Sequence, residues 1–256
     1  MVLYTNLLCT LLPEFVFISH FVFLCGKKVT SRAVYMNKIE KNRTTILEKI
    51  TKFHSLSLYK NAHLPKLIAV SKKQNEERVL QALQCGQRIF GENRVQEAEK
   101  RWIKYLNEFE KIELHLIGPL QTNKVKKALK LFDVIHTVDR ESVAIEISKN
   151  LDKSSKTKTF FIQVNTGHEK QKSGVLPDEI EAFFQFCKKL KIPISGLMCI
   201  PPISETPSIH FCYLNKLSKK LNLNALSMGM TSDFEEAIKF GSTCIRIGEG
   251  IFGKRV

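Results

Sequence analysis

Residues 67–79 read LIAVSKKQNEERV and combine a short apolar run, a polar turn and the start of an amphipathic helix. The run 67–70 is typical of strands whose two faces are both covered, as in parallel sheets. Apolar strand patterns alternate with helical periods along the rest of the chain, which predicts parallel strands joined by right-handed crossovers. The first such unit also places a lysine, Lys72, directly after a buried strand.

Eight strand patterns can be recognised, at residues 67–71, 87–90, 113–117, 133–137, 159–165, 194–199, 225–228 and 243–247. Helical patterns lie between them, near residues 75–84, 93–108, 123–131, 140–151, 177–190, 208–221 and 231–240, and another, near 38–52, precedes the first strand. Eight strands in about 200 residues fit a closed barrel better than an open doubly wound sheet. No GxGxxG motif follows the first strand, which argues against a dinucleotide-binding domain. We therefore predict an α/β protein with a single (β/α)8 TIM barrel over residues 36–256 and an N-terminal helix before the first strand.

The first 35 residues differ in composition from the predicted barrel. Residues 2–25 are largely apolar, but Pro13 and Glu14 interrupt the run, and the basic residues Lys27 and Lys28 follow it instead of preceding it. This order of charges is unlike a signal peptide, and a transmembrane helix does not readily accept Glu14 at mid-depth. We interpret residues 1–35 as an extension outside the fold, consistent with an upstream start codon. A membrane anchor is the alternative.

The composition is that of a globular protein, with 43% hydrophobic and 25% charged residues. The seven cysteines are odd in number, scattered and never spaced as CxxC. This pattern argues against a structural zinc site or a disulfide framework and indicates a reducing compartment. We therefore expect a cytoplasmic protein without a metal site. Cys199 and Cys244 lie on predicted strands and are expected to be small core residues.

The formal net charge of +15 raises the question of a nucleic-acid partner. However, the lysines are spread over nearly every predicted helix, and no arginine-rich run with interleaved aromatic residues occurs. We interpret the charge as a lysine-rich solvated surface and predict neither nucleic-acid binding nor stable membrane association. Such a surface on a lone barrel favours a monomer. It would also raise the local concentration of anions such as phosphate esters.

Candidate functional residues follow from the rule that TIM barrels place their chemistry at the C-terminal strand ends. The ends of the last two predicted strands carry SMGMTSD (227–233) and RIGEGIFG (246–253). Their glycines let the backbone approach an anion closely. Ordinary turn chemistry would explain either loop alone. Because barrels often bind phosphate through these two loops, the pair favours an anion site.

Lys72 belongs to the same end of the barrel. A lysine at a strand end is by itself commonly a surface residue. When it is partly desolvated and close to other cations, it becomes a nucleophile towards carbonyls. Beside a phosphate cradle it would form a Schiff base with a phosphorylated aldehyde, which describes pyridoxal 5′-phosphate (PLP). Arg246, on the strand that leads into the second glycine loop, would then lie near the cofactor ring.

Seven motifs together resemble the PLP homeostasis proteins, also called PLP-binding proteins, which share the barrel of the alanine racemase N-terminal domain. The motifs are AVSK, FGENRVQEA, HLIGPLQTNK, VN…KSG (164–174), GLMCIPP, LSMGMTSDFEEAI and IRIGEGIFG. They occur in order between about Ile39 and Lys254, without large gaps. The resemblance implies an intracellular PLP carrier or regulator without robust catalysis of its own, and PLP-dependent apo-enzymes as partners.

The resemblance also implies roles for individual residues. Lys72 would hold PLP as an internal aldimine. Arg246 would face the pyridine nitrogen, which disfavours the pyridinium form and makes the ring a poorer electron sink. The family's phosphate-binding positions are matched by Ser227, Gly229 and Gly248, and its pocket-lining positions by Asn93, His115 and Met198. No residue is expected to be catalytic.

One position departs from the family pattern. Glu249 follows the glycine of RIG, where many relatives have Thr or Ser. A carboxylate beside a phosphate dianion is repulsive. Either Glu249 points away and contributes only its backbone N–H, or the affinity for phosphate is reduced.

Several other functions remain open from the sequence. An amino-acid racemase of the PLP-dependent type needs a second acid/base group, which the resemblance to alanine racemase assigns to a tyrosine of a separate β-domain. That domain is not expected here, and the tyrosines all lie off the predicted strand ends: Tyr4, Tyr35, Tyr59, Tyr105 and Tyr213.

A Schiff-base aldolase would need a carboxylate near Lys72. Glu92 is the candidate, although a structural role at the turn into the next helix is the preferred interpretation. A pure interaction protein would not explain the lysine, arginine and glycine pattern. His136 and His168 are interpreted as helix-edge or loop residues without a role.

Overall fold

The computed structural model of the chain describes residues 37–59 and 63–254. The strands are β1 Lys66–Val70, β2 Ile89–Glu92, β3 Glu113–Leu116, β4 Val134–Val138, β5 Thr159–Val164, β6 Ile194–Cys199, β7 Ala225–Ser227 and β8 Cys244–Ile247. The helices are α1 Lys38–Ser55, α2 Glu76–Gln84, α3 Val95–Glu108, α4 Val125–Leu131, α5 Glu141–Asn150, α6 Ile180–Lys189, α7 Pro207–Lys220, α8 Phe234–Lys239 and α9 Glu249–Phe252, with 3₁₀ turns at Thr122–Lys124 and Pro177–Glu179. All strands are parallel, and β8 closes the barrel against β1.

The predicted (β/α)8 TIM barrel with an N-terminal helix is confirmed. Each of the eight predicted strands overlaps an observed strand. The sequence patterns missed α9, whose four residues are too few to show a helical period. The predicted extension at residues 1–35 lies outside the described residues, and the domain boundary at residue 36 therefore stays a prediction.

The N-terminal helix is positioned against the last elements of the barrel. Its start is fixed by Asn37, whose side chain accepts a hydrogen bond from the backbone N–H of Glu40 at 2.8 Å. The helix packs on α8 and α9, and Asn42 Nδ2 donates to the carbonyl of Ile251 at 3.0 Å. Helix α1 therefore supports the turn between β8 and α9, one of the two glycine loops.

Two layers of apolar side chains hold the barrel together. The larger layer lies between strands and helices, and a smaller cluster fills the barrel interior. The interior cluster consists of Ile68, Val134, Phe161, Met198 and Cys244. Because side chains alternate along a strand, every second residue of each strand faces this interior. The barrel is thus a packed core whose open ends are the places for ligands.

The described residues bear on three further expectations from the sequence. Between residues 37 and 59 and between 63 and 254, no helix is both long and apolar enough to cross a membrane. No group of side chains in the same ranges is arranged to hold a metal ion. The cysteines described there are unpaired, and burial raises the pKa of Cys199 to about 12 and that of Cys244 to about 11. Both behave as small core residues, as expected.

Candidate functional site

Lys72 lies in the turn after β1. Hydrogen bonds from a side chain of α3 hold this turn in place. Arg101 donates hydrogen bonds to the carbonyl of Ser71 at 2.8 Å and to that of Gln74 at 2.7 Å. The Gln74 N–H donates to Ser71 O at 3.1 Å, and Lys73 adopts a φ of 58°. The backbone on both sides of Lys72 is therefore held in place, while its side chain is half-buried.

Glu92 is buried beneath the same turn and supports it. Its Oε1 accepts hydrogen bonds from Ser71 Oγ at 2.7 Å, Arg101 Nη1 at 2.8 Å and Trp102 Nε1 at 3.1 Å. The side chain is fully buried and contacts the helix layer, not the barrel interior. These contacts agree with the structural interpretation of Glu92: its Oε1 is committed to this network, while its buried Oε2 has no hydrogen-bond partner in the described part of the chain.

The neighbouring strands β7, β8 and β1 bring further predicted residues to the same end of the barrel. Arg246 pairs with Ile68 across the β8–β1 ladder, and its backbone N–H donates to Gly229 O at 3.0 Å. A Cβ added to Gly248 would lie 3.6 Å from the carbonyl oxygen of Val70 in β1. The carboxyl ends of three adjacent strands thus juxtapose Gly229, Arg246 and Gly248 with the turn that carries Lys72.

The two glycine loops meet at this end. Gly229 has a φ of 93°, and a Cβ there would lie 2.6 Å from that of Ala237, so only glycine fits. Thr231 Oγ1 accepts a hydrogen bond from the backbone N–H of Gly250 at 3.3 Å and joins the loops. Within the described residues, no protein acceptor is found for the backbone N–H of Thr231 or Ser232. Such donors next to glycines suit an anion.

Arg246 is a buried cation with a defined orientation. Its Nη1 donates to Ser227 Oγ at 2.6 Å and its Nη2 to the carbonyl of Cys199 at 2.8 Å. Burial lowers the pKa of the guanidinium below its usual value, although arginine still remains protonated at neutral pH. The Ser227 hydroxyl also lies 2.8 Å from His136 Nδ1, inside the barrel. A phosphate contact by Ser227 stays a prediction; the hydroxyl itself is engaged with Arg246 and His136.

His115 is buried inside the barrel. It borders a cavity of about 400 Å³ that is also lined by Lys66, Glu113 and Thr159. These three are the first residues of β1, β3 and β5, so this cavity opens at the amino-terminal mouth, opposite the turn of Lys72. The expected role of His115 in lining the cofactor pocket stays a prediction.

His136 was wrongly interpreted as a helix-edge or loop residue without a role. It lies within β4, is fully buried, and its Nε2 is 2.8 Å from His115 Nδ1. The signal was present in the sequence, because the predicted strand 133–137 includes His136. Alternation with Val134, which faces the interior, places His136 on the same inward side.

The remaining two predicted residues occupy different environments. Met198 is fully buried in the interior cluster with Ile68 and Phe161. Asn93 is half-buried beside a cleft of about 590 Å³ that it shares with Arg94 and Lys124, among others. Its buried Oδ1 meets no hydrogen-bond partner in the described part of the chain, and a bound water or a ligand group would satisfy it.

The fold and the lysine, arginine and glycine cluster define a barrel of the alanine racemase type: residues 54–256 match the family model for the alanine racemase N-terminal domain. Among curated proteins, the pyridoxal phosphate homeostasis protein of Vibrio cholerae is 39% identical over 201 residues, which cover 74% of this chain and 85% of the relative. That of Aquifex aeolicus is 38% identical over 200 residues, covering 74% and 87%. The chain belongs to the family of pyridoxal phosphate homeostasis proteins.

A solved structure of PipY from Synechococcus elongatus PCC7942 with PLP bound superposes with a TM-score of 0.71 at 30% identity, covering 84% of this chain and 100% of that one. The structure of PipY without PLP gives a TM-score of 0.74 with the same coverage. The similarity thus extends over the whole of that relative.

Proposed function

We propose that this chain binds PLP through a Schiff base with Lys72 and acts as a carrier or regulator in intracellular PLP homeostasis, without robust catalysis of its own. One observation carries the proposal. Adjacent strands β7, β8 and β1 place a rigidly held lysine turn, two glycine loops and a buried arginine at one mouth of the barrel. The names of the curated relatives and the PLP-bound structure of PipY support it.

The residues at this mouth fit the chemical groups of PLP. The backbone N–H groups of Thr231 and Ser232, next to Gly229, suit a phosphate dianion. Lys72 would supply the amine that holds the aldehyde of PLP, with a C=N bond replacing the C=O bond and water as the leaving product. Arg246 offers guanidinium N–H donors beyond those already bonded to Ser227 and Cys199, and these suit the unprotonated ring nitrogen.

The side chain of Glu249 fits this arrangement as well. It is exposed to solvent at the start of α9. Exposure supports the first of the two expectations for this position, in which only the backbone N–H serves the phosphate. Bulk water then screens most of the repulsion between the carboxylate and the anion.

The absence of robust catalysis is inferred from the electronic and acid/base groups around Lys72. PLP supplies an electron sink when its ring nitrogen is protonated, and the Arg246 cation opposes that protonation. A racemase also needs a second acid/base group. The described tyrosines do not stand at the barrel mouth: Tyr59 stacks on Phe240, Tyr105 lies beside Trp102 on α3, and Tyr213 is on α7. The racemase alternative therefore lacks its tyrosine within the described residues.

We also infer the setting in which the protein works. The free thiols and the lysine-rich surface support a cytoplasmic monomer without a nucleic-acid partner. The chemical class of recipient that fits a carrier is a PLP-dependent apo-enzyme, which takes up the same aldehyde by exchange of one lysine amine for another.

Trapping of the bound cofactor tests the proposal. Purified protein mixed with PLP should absorb at about 420 nm, a general feature of protein-bound PLP. Borohydride reduction should then attach the cofactor permanently to the peptide that contains Lys72, as a label. Lys72→Ala should lose this label and retain the far-ultraviolet circular dichroism of the parent. Lys124→Ala, which removes a lysine beside the neighbouring cleft, is the matched control and should keep it. Label on Lys73 or Lys124 in the parent protein would contradict the assignment.

A further inference from the structure

A line of hydrogen-bonded side chains runs through the barrel interior, starting at the amino-terminal mouth. Lys66 Nζ lies 2.7 Å from Glu113 Oε1, and the same oxygen lies 2.8 Å from His115 Nε2. His115 Nδ1 is 2.8 Å from His136 Nε2. Both imidazoles are buried, and the His136 ring stacks on Phe161 at a centroid distance of 4.5 Å. Packing therefore fixes the ring planes of this lower half of the line.

The upper half ends at Arg246. His136 Nδ1 is 2.8 Å from Ser227 Oγ, which accepts a hydrogen bond from Arg246 Nη1 at 2.6 Å. Arg246 is buried, and the Asp233 carboxylate interacts with it electrostatically without forming a salt bridge in the described part of the chain. A buried cation normally has a directly paired carboxylate. Here a continuous line of hydrogen-bonded side chains connects Arg246 to the Glu113 carboxylate.

The proton positions along this line follow from its two ends. Burial raises the pKa of Glu113, but the hydrogen bonds from His115 and Lys66 outweigh it and lower the pKa to about 2, so the carboxylate is ionised and only accepts. His115 must therefore carry its proton on Nε2. Burial lowers the pKa of His115 and, more strongly, that of His136, so each ring is neutral at pH 7 and carries one proton.

The remaining protons can then be placed one after another. Because neutral His115 is protonated on Nε2, its Nδ1 accepts, and His136 Nε2 must donate to it. His136 Nδ1 therefore accepts the proton of the Ser227 hydroxyl, and Ser227 Oγ keeps its lone pairs for Arg246. Every hydrogen bond points from Arg246 towards Glu113. The reverse order would leave the Ser227 O–H without an acceptor and aim a nitrogen lone pair at the Glu113 carboxylate.

We propose that Glu113, His115, His136 and Ser227 are positioning residues for Arg246, and that they form a hydrogen-bond chain of one fixed direction linking its guanidinium to the carboxylate at the opposite mouth of the barrel. The chain anchors the guanidinium and polarises Ser227 Oγ as its acceptor, because hydrogen bonds in series strengthen one another in a low-dielectric interior. Its effect on the cofactor rests on the proposed function. The direction of the chain is a property of the protein without PLP.

The direction can be measured by nitrogen-15 NMR of labelled histidine side chains in the cofactor-free protein. We expect His115 and His136 to be neutral and protonated on Nε2 at pH 7–8. Glu113→Gln should change this, because an amide can either accept from or donate to His115 and so permits both directions. The share of His136 protonated on Nε2 should then fall below that of the parent protein, while the intact Arg246–Ser227 end keeps the original order in the majority. Glu99→Gln, which removes a carboxylate paired with Lys127 on the surface, is the matched control and should leave both rings unchanged.

Ser227→Ala shortens the chain from its other end and separates this proposal from a general loss of structure. Once the Ser227 hydroxyl is removed, Glu113 still fixes the direction, so His115 and His136 should keep their protons on Nε2 in this variant. His136 protonated on Nδ1 or charged at pH 7 in the parent protein would overturn the proposal, as would an unchanged His136 in Glu113→Gln. If Glu113→Gln does not fold, the parent and Ser227→Ala spectra decide the question.

PLP binding adds a second and separate measurement. We expect Glu113→Gln to raise the dissociation constant for PLP by about three- to tenfold through a less ordered Arg246, and Glu99→Gln to leave it within about twofold. An unchanged dissociation constant would remove the positioning role but leave the chain direction as measured. A parent protein that binds no PLP would refute the proposed function, and the histidine spectra of the cofactor-free protein would still decide the direction.

Discussion

Arg246 and Ser227 are joined by a hydrogen bond of 2.6 Å between the guanidinium and the hydroxyl, across the last two strands of the barrel. Ser227 ends β7 and is followed by the first glycine loop, while Arg246 precedes the second. The backbone N–H of Arg246 also donates to Gly229 O. Hydrogen bonds therefore join the residue expected to face the cofactor ring to the loops expected to hold its phosphate, and the two form one hydrogen-bonded unit.

Replacement of Ser227 by alanine should weaken this unit. The change leaves Arg246 one acceptor short and His136 Nδ1 without its hydrogen bond, both in the buried interior. We expect the free energy of unfolding to fall by roughly 2–4 kcal/mol, as measured by urea denaturation of the cofactor-free protein. Ser204→Ala, in an exposed loop, should change it by no more than about 0.5 kcal/mol. Weaker PLP binding with unchanged stability would instead indicate that the hydroxyl serves only the phosphate.

Replacement of Glu249 by serine should strengthen PLP binding. The substitution removes an exposed carboxylate next to the proposed phosphate position. Because the repulsion acts through solvent, we expect the dissociation constant to fall by about two- to fivefold at low ionic strength and by less at 0.5 M salt. Fluorescence titration with PLP measures both. Glu181→Ser, on the surface of α6, is the control. Weaker binding by Glu249→Ser would show that the carboxylate assists the site.

Acidification should destabilise the cofactor-free protein through two kinds of buried group, the histidine rings and the Glu113 carboxylate. Burial holds the pKa of His115 and His136 below the ordinary value of 6.5, so below that pH the unfolded chain takes up protons that the folded chain does not. Stability is therefore lost as the pH falls from 6.5. Glu113, whose pKa is lowered from 4.5 to about 2, stabilises the fold above pH 4.5, and this contribution is lost as the pH falls towards 2.

Melting temperatures between pH 7.5 and 3 measure this dependence. His136→Gln removes one of the two buried titrating rings, so its melting temperature should fall less steeply between pH 6.5 and 5 than that of the parent protein. The difference between the two slopes should persist at lower pH for as long as the folded protein keeps His136 neutral. Equal slopes over the whole range would show that the buried rings take up protons without unfolding.

The strands were predictable because their signal is local. Apolar runs such as 67–70 and 159–165 carry the pattern within a few residues. The order of strands and helices then requires a parallel barrel, and the rule of C-terminal strand ends selected Lys72, Arg246 and the glycine loops. Each of these inferences uses neighbouring residues or a general property of the fold.

The hydrogen-bond chain was not predictable in the same way. Its partners are far apart in sequence: His136 and Ser227 are separated by 91 residues. Alternation along a strand tells which side chains face inwards, but the depth of each along the barrel axis depends on strand tilt and register, which are set only when the barrel closes. This is why the contact between His115 and His136 was not predicted and why His136 was given no role.

The proposal of a carrier without robust catalysis makes a final prediction about proton transfer. A well-placed base contributes about 10²- to 10⁴-fold in rate. In the described residues, Glu92 is bound by Arg101 and Trp102 beneath the turn of Lys72, and the Arg246 cation opposes protonation of the ring nitrogen. We therefore expect amino acids to perturb the absorption spectrum of the PLP-loaded protein. Racemase, transaminase and decarboxylase assays should show no more activity than free PLP.

Exchange of the α-proton of an amino acid with deuterated solvent is the most sensitive measurement of catalysis by the PLP-loaded protein, because it needs only one proton transfer. The rate with the PLP-loaded protein should equal that with the same concentration of free PLP, and Lys72→Ala mixed with PLP should give that rate too. Exchange well above this background, lost in Lys72→Ala, would favour the racemase alternative. The amine at the end of β1 would then be a base that moves protons, whereas its fixed backbone and the cation on the adjacent strand fit a residue that holds the cofactor in place.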